Sequence, residues 1–156
     1  MAAMTDAFEN KVIDFFFRAQ AFGLANTTAA AGTGPSTWYV GLLTALPTDA
    51  TAGTEVTGGS YARVAITSSL ANWAGTQGAA TTAASSGTTG TTSNNAILTF
   101  PAPTANWGAV VGLGLYDSST GGMLCFYTAQ TPNKTVNNGD PAPTFPISAL
   151  QAQIDT

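Results

Sequence analysis

The sequence predicts a mainly β protein: an antiparallel β-sandwich or jelly-roll-like domain of about seven strands with one N-terminal α-helix. Three observations carry that expectation. Short alternating apolar runs recur between Gly- and Pro-rich turns, the pattern of an all-β domain. Threonine is abundant, and it suits a pleated surface. Only 8% of the 156 residues are charged, well below the quarter of an ordinary globular domain. The length fits one domain, residues 1–156, with a helix at 5–23 and a sandwich at 37–156.

In chain order, residues 6–22 are the one helical pattern. Asp6 and Glu9 make a capping-box-like start, and Gly23 is a natural residue to follow the end. Phe8, Val12, Phe15, Phe16 and Ala19 form an apolar stripe, widened by Ile13, Phe17 and Phe22. A stripe this broad calls for burial on more than one side, against the chain's own sheet or against another subunit. Residues 25–36 read as a loop. Thr37–Leu46 is apolar on both faces and is expected to be a central strand, stopped by Pro47. A loop carrying Glu55 leads to a half-buried strand at Tyr61–Thr67.

Residues 74–95 are low complexity, built from Gly, Thr, Ala, Ser, Gln and Asn. They are expected to form a surface loop, or an extended arm ordered by a neighbouring subunit. Asn95–Phe100 is a strand ended by Pro101. Ala109–Tyr116 and Met123–Ala129, joined by the Gly-rich Asp117–Gly122, read as a β-hairpin. Gly112 and Gly114 share a face of that hairpin and are expected to lie against other backbone or to mark a bend. Asn138-Gly139 is a strong type I′ turn signal, expected to join a strand at Lys134–Val136 to a C-terminal one. Thr144–Phe145 and Ile147–Ile154 complete the set, with Pro141, Pro143 and Pro146 forcing an edge or irregular path.

The residue inventory narrows the chemistry. The chain has no histidine, which removes Ser-His-Asp and Cys-His arrangements and the usual zinc sites. No P-loop, complete dinucleotide fingerprint or EF-hand loop occurs. Cys125 is the one cysteine and is expected to be a buried structural thiol. A net charge of −4 with four basic residues (Lys11, Arg18, Arg63, Lys134) gives no basic face for nucleic acid. No apolar run reaches 18 residues, so no membrane span is expected, and the charged N-terminus does not read as a secretory signal. Asp49, Glu55, Asp117 and Asp140 could in principle supply a glycosidase pair. Each sits among turn residues, where turn formation is the ordinary role. The expectation is therefore no enzyme activity, no cofactor and no metal. Most aromatics fall at core positions; Trp73 and Trp107 stand at strand edges and are the ones expected to be available for contact.

Several segments carry a resemblance. They are Thr5–Lys11, Thr37–Asp49, Gly53–Arg63, Phe100-Pro101, Ala105–Gly108, Leu115–Gly122 and Lys134–Asp140, in order over nearly the whole chain. Together they resemble a family of small structural proteins of tailed bacteriophages and prophages, often labelled tail-fibre or virion structural proteins. Residues 25–35 and 74–93 depart from that family by being longer and richer in Ala and Thr. The resemblance implies a virion location and brings no catalytic residues.

Within that class, the small size, sparse charge, broad apolar helix and low-complexity arm lead to a first expectation of a head decoration (cement) protein on the capsid surface. Its partners would be the major capsid protein and copies of itself as a homo-oligomer. The candidate subunit or capsid contacts are Phe8, Val12 and Phe16 on the helix, Trp73 and Gln77 near the arm, and Trp107. The alternative is a tail-fibre or tail-tip component that contacts other tail proteins and a host surface glycan.

Overall fold

The computed structural model describes residues 4–23, 34–48 and 50–154. The chain is mainly β and antiparallel, with one N-terminal helix, α1 (Asp6–Arg18), among the described residues. Nine strands follow among the described residues, more than expected, because several are only two or three residues long. The expected loop at 25–36 and the loop carboxylate Asp49 fall largely or wholly outside the described residues. The chain divides into two compact units. One gathers Met1–Ser36, Thr67–Ile97 and Phe145–Thr156; the other holds Thr37–Ile66 and Leu98–Thr144.

The second unit is built on a five-stranded sheet. Strands β1 (Thr37–Ala45), β2 (Thr54–Glu55), β3 (Val64–Thr67), β6 (Gly108–Tyr116) and β7 (Leu124–Val136) form it, with the path β2-β1-β6-β7 and β3 also on β1. Strand β1 is central, as its two apolar faces require: Trp38, Val40, Leu42 and Leu43 are all buried. It pairs with β6 through Val40–Leu115 and Leu42–Leu113, so these four residues share one face. Phe126 of β7 reaches that face and meets Trp38 edge-on at 5.9 Å. Phe100, Trp107, Val110 and Val136 add to this unit's core.

The β6–β7 hairpin holds as expected, but β7 is longer. Lys134–Val136 do not start a second hairpin; they pair back onto Gly108–Val110 after a register break opposite Val111. The Asn137–Asp140 turn explains this. Only Gly139 has a positive φ (81°), so the turn is not type I′. Asp140 closes it through Asn137 N–H at 2.8 Å, and Pro141 and Pro143 offer no N–H on the return path. The short strands β5 (Leu98–Thr99) and β8 (Thr144–Phe145) pair separately.

The first unit packs α1, β4 (Thr91–Ser93) and β9 (Gln151–Gln153), the two strands paired antiparallel. Helix α1 stops at Arg18, short of the expected Phe22, because Ala19 takes the left-handed conformation (φ 55°) and ends the turn there. Its N-cap is Thr5 rather than Asp6, and Thr5 makes no side-chain capping bond. The residues it buries are Glu9, Ile13, Asp14, Phe17 and Arg18, not the Phe8–Val12–Phe16 stripe. Arg18 is fully buried, and each of its three nitrogens is bonded. It bonds Asp14 Oδ1 at 2.6 Å, Trp73 O and Ser85 Oγ at 3.0 Å, and Ala83 O. Ser85 N–H returns to Asp14 Oδ2 at 2.9 Å, and Asn10 Nδ2 reaches Gly87 O at 3.0 Å. The 74–95 segment is thus folded onto the chain's own helix by polar contacts and supplies β4.

Candidate functional site

Glycines open a space in the second unit's sheet. Gly41 and Gly114 lie directly opposite each other on β1 and β6. A Cβ at Gly41 would sit 2.8 Å from Glu55 Oε1 and from Tyr116 Cε2; one at Gly114 would sit 2.9 Å from the same ring carbon. The expected approach to backbone holds at Gly112, where a Cβ would sit 2.6 Å from Thr128 O beside the register break, whereas side chains fill the space at Gly114. The Tyr116 ring lies across this glycine floor.

A polar cluster assembles above it. Glu55 at the end of β2 and Arg63 just before β3 form a two-pronged ion pair: Arg63 Nε to Oε1 at 2.8 Å and Nη2 to Oε2 at 2.7 Å. This is the planar fork geometry that guanidinium and carboxylate share. The guanidinium carbon stands 3.4 Å from the Tyr116 ring centroid, a cation–π contact. Tyr61 donates its hydroxyl hydrogen to Glu55 Oε1 at 2.7 Å and accepts from Leu42 N–H at 2.8 Å. Burial first, then the bond to Glu55, push the Tyr61 phenol above its ordinary pKa; burial and the Glu55 charge do the same at Tyr116. The bond to Glu55 raises the pKa of Arg63. Glu55 therefore anchors its neighbours, with Oε1 accepting two hydrogen bonds and Oε2 one.

The remaining Arg63 nitrogen carries the consequence outward. Nη1 donates to Ser118 O at 2.6 Å and Gly121 O at 2.8 Å, both in the exposed hairpin loop. Within the loop, Ser118 Oγ bonds Thr120 O at 2.8 Å, and Asp117 Oδ1 accepts Met123 N–H at 2.7 Å. Gly121 and Gly122 take φ of 59° and 69°, which glycine adopts without a Cβ penalty. The loop 117–123 is thereby held in one shape while Ser119, Thr120 and Met123 face solvent. Asp117 and Asp140 each hold their own turn, the role expected of them. A second surface feature of this unit is an open groove of about 390 Å³ between Lys134 and the Pro141–Thr144 segment.

The residues expected to make contacts are scattered. Phe16 is exposed, Phe8 and Val12 are half-buried, and Gln77 is exposed with its amide bonded to Ala84 O and Ser86 N–H. Trp73 and Trp107 are corrections. Trp73 is 0% exposed and packs on Phe17 at 4.9 Å. Trp107 is 5% exposed and donates Nε1–H to Gly59 O at 2.9 Å. Both are core residues, because each indole is closed in by aromatic neighbours of its own unit; for Trp107 that neighbour is Tyr61, edge-on at 5.4 Å. The Glu55–Arg63 cluster was not anticipated. Its available signal was the only Glu and Arg of the 53–63 segment, separated by a Gly-Gly turn that folds one back on the other.

Comparison with known proteins bears on what such a surface serves. The family model described as Podophage GP4 fiber I protein gp80 matches residues 3–153. No curated protein matches the chain.

Proposed function

The chain belongs to the Podophage GP4 fiber I protein gp80 family and is a bacteriophage virion structural protein; from that premise we propose that it is a component of the tail fibre and contacts the host surface. The observation that carries this reading is the family match across residues 3–153, whose description is that of a fibre protein. The stapled loop at 117–123 supports it. A loop that is ordered before binding loses less entropy on contact, and its hydroxyls and backbone groups suit a polar surface such as a glycan. The protein acts by binding rather than by turnover: Glu55 is committed to Arg63 and Tyr61, and Asp117 and Asp140 to their own turns.

The head-decoration reading drew on sparse charge and a broad apolar helix, features a fibre component shares. Its contact set included two tryptophans that are enclosed in the core. Copy number separates the two positions. A handful to a few tens of chains per virion, measured against the major capsid protein by quantitative mass spectrometry, is the expected result. Hundreds of copies would overturn the fibre reading. Purified protein should also bind host cells, and loss of that binding on Ser119→Asp or Thr120→Asp would assign the contact to the loop.

A further inference from the structure

Strand β7 lies at the end of the sheet path and pairs with β6 alone among the described residues. Which of its backbone groups face outward follows from the hydrogen bonds of β1. Leu42 gives its N–H to Tyr61 Oη and its C=O to Val56 N–H, so both groups point away from β6. Backbone direction alternates along an antiparallel ladder. Leu113, the β6 partner of Leu42, therefore points toward β7, as does Leu115, and their β7 partners Thr128 and Phe126 point back at them. Tyr127 and Ala129 consequently turn their N–H and C=O groups to the open edge, where Ala129 O accepts a long bond from Thr128 Oγ1 at 3.5 Å.

Soluble proteins protect such an edge with charge, proline or a covering element. This edge has no charged residue between Asp117 and Lys134, and its one proline, Pro132, lies beyond the Tyr127–Ala129 stretch. Tyr127 is 51% exposed, and Met123, just before the strand, is 63% exposed. A strand bearing charge would meet no counter-charge here, whereas the same uncharged edge of a second copy meets its own kind without repulsion. We propose that the outer edge of β7 pairs antiparallel with the β7 edge of a second copy of this chain, about a two-fold axis near Thr128. In that register Tyr127 of one copy lies opposite Ala129 of the other, and each such pair exchanges both of its N–H···O=C bonds. The exposed Tyr127 rings become covered at the new seam. The two sheets then continue as one across the axis.

Sedimentation velocity on the full chain tests this, with Ala129→Pro and Tyr127→Lys as variants. Proline at 129 removes an outward N–H and leaves the inward bonds of Phe126 and Thr128 in place. Lysine at 127 sets like charges facing across the axis. The wild type should be a dimer. Each variant should keep its far-ultraviolet circular dichroism and dissociate, with Ala129→Pro weakening the dimer about 30-fold for two lost hydrogen bonds. Amide exchange at Tyr127 and Ala129 should slow as wild-type concentration rises, a reading that holds even if a variant fails to fold. A monomeric wild type, concentration-independent exchange at these amides, or a dimer that survives both folded variants would overturn the proposal.

Discussion

Replacing Arg63 with methionine keeps the length and much of the apolar contact of the side chain and removes its charge. Glu55 would then be left 21% exposed beside Tyr61 with no counter-ion. Removing one partner of a fully buried pair costs about 3–5 kcal/mol. Partial exposure of Glu55 and the surviving Tyr61 bond bring this toward the low end. Two loop carbonyls and one cation–π contact are lost as well, so a net loss of about 3 kcal/mol is expected. For a chain of this length, that lowers Tm by roughly 6–12 °C. Thermal and urea unfolding followed by tryptophan fluorescence would read it, since Trp38 and Trp107 belong to the same unit. The double variant Glu55→Gln/Arg63→Met should be more stable than the sum of the single losses by about 2 kcal/mol, because the stranded charge is gone. The amide of Met123 should also exchange faster in Arg63→Met as the loop loosens. A loss below about 1 kcal/mol with unchanged Met123 exchange would refute the staple, since so small a change is typical of a surface pair.

Three other outcomes follow from the same geometry. Gly41→Ala should cost about 1–3 kcal/mol in thermal unfolding, because the new methyl meets Glu55, Tyr61 and Tyr116 at 3.0 Å or less. Stability should fall as pH rises above about 10, where unfolded tyrosines ionise: folded Tyr61 and Tyr116 hold their protons to higher pH, so the folded state binds more protons there and loses ground. Tyr61→Phe should flatten that alkaline slope in a series of urea titrations. Arg18→Met should cost about 3–4 kcal/mol by stranding Asp14, and limited proteolysis should then cut the 76–90 segment faster.

The elements legible in the sequence were those written in apolar periodicity. Thr37–Ala45 and the 108–129 hairpin follow directly from alternating Val, Leu and aromatic positions with glycines at the turn. What escaped was organised by polar atoms. Strand β4 lies in a stretch with no apolar alternation; Thr92 Oγ1 on Ala74 O at 2.7 Å and the anchoring of Ser85 and Gly87 on the helix hold the segment in place. The helix misled for the same reason. Its widest apolar stripe is not its buried face, because the bonds joining Arg18 to Trp73 O and Ala83 O, and Asp14 to Ser85, hold the face of Glu9, Ile13 and Phe17 inward. Trp73 and Trp107 were misplaced because flanking turn residues say nothing about what closes over an indole. The stapled loop depends on a contact between Arg63 and residues 118–121, a separation for which no spacing rule exists.

The interleaving of the two units sets an order on synthesis. As the chain leaves the ribosome, α1 emerges with nothing to bury against, for the carbonyls that receive Arg18 lie in residues 73–83. The second unit's sheet can close once Val136 has appeared. The first unit must wait longer, until Gln151–Gln153 can pair with Thr91–Ser93. The helix, made before its partners, is therefore enclosed after the sheet, and the nascent Phe8, Phe15, Phe16 and Phe22 stay open to chaperones or to neighbouring chains until then. Production of the protein should accordingly be limited by the fate of its helix during translation, and loss of Gln151–Gln153 should release Thr91–Ser93 and the helix rather than the sheet of the second unit.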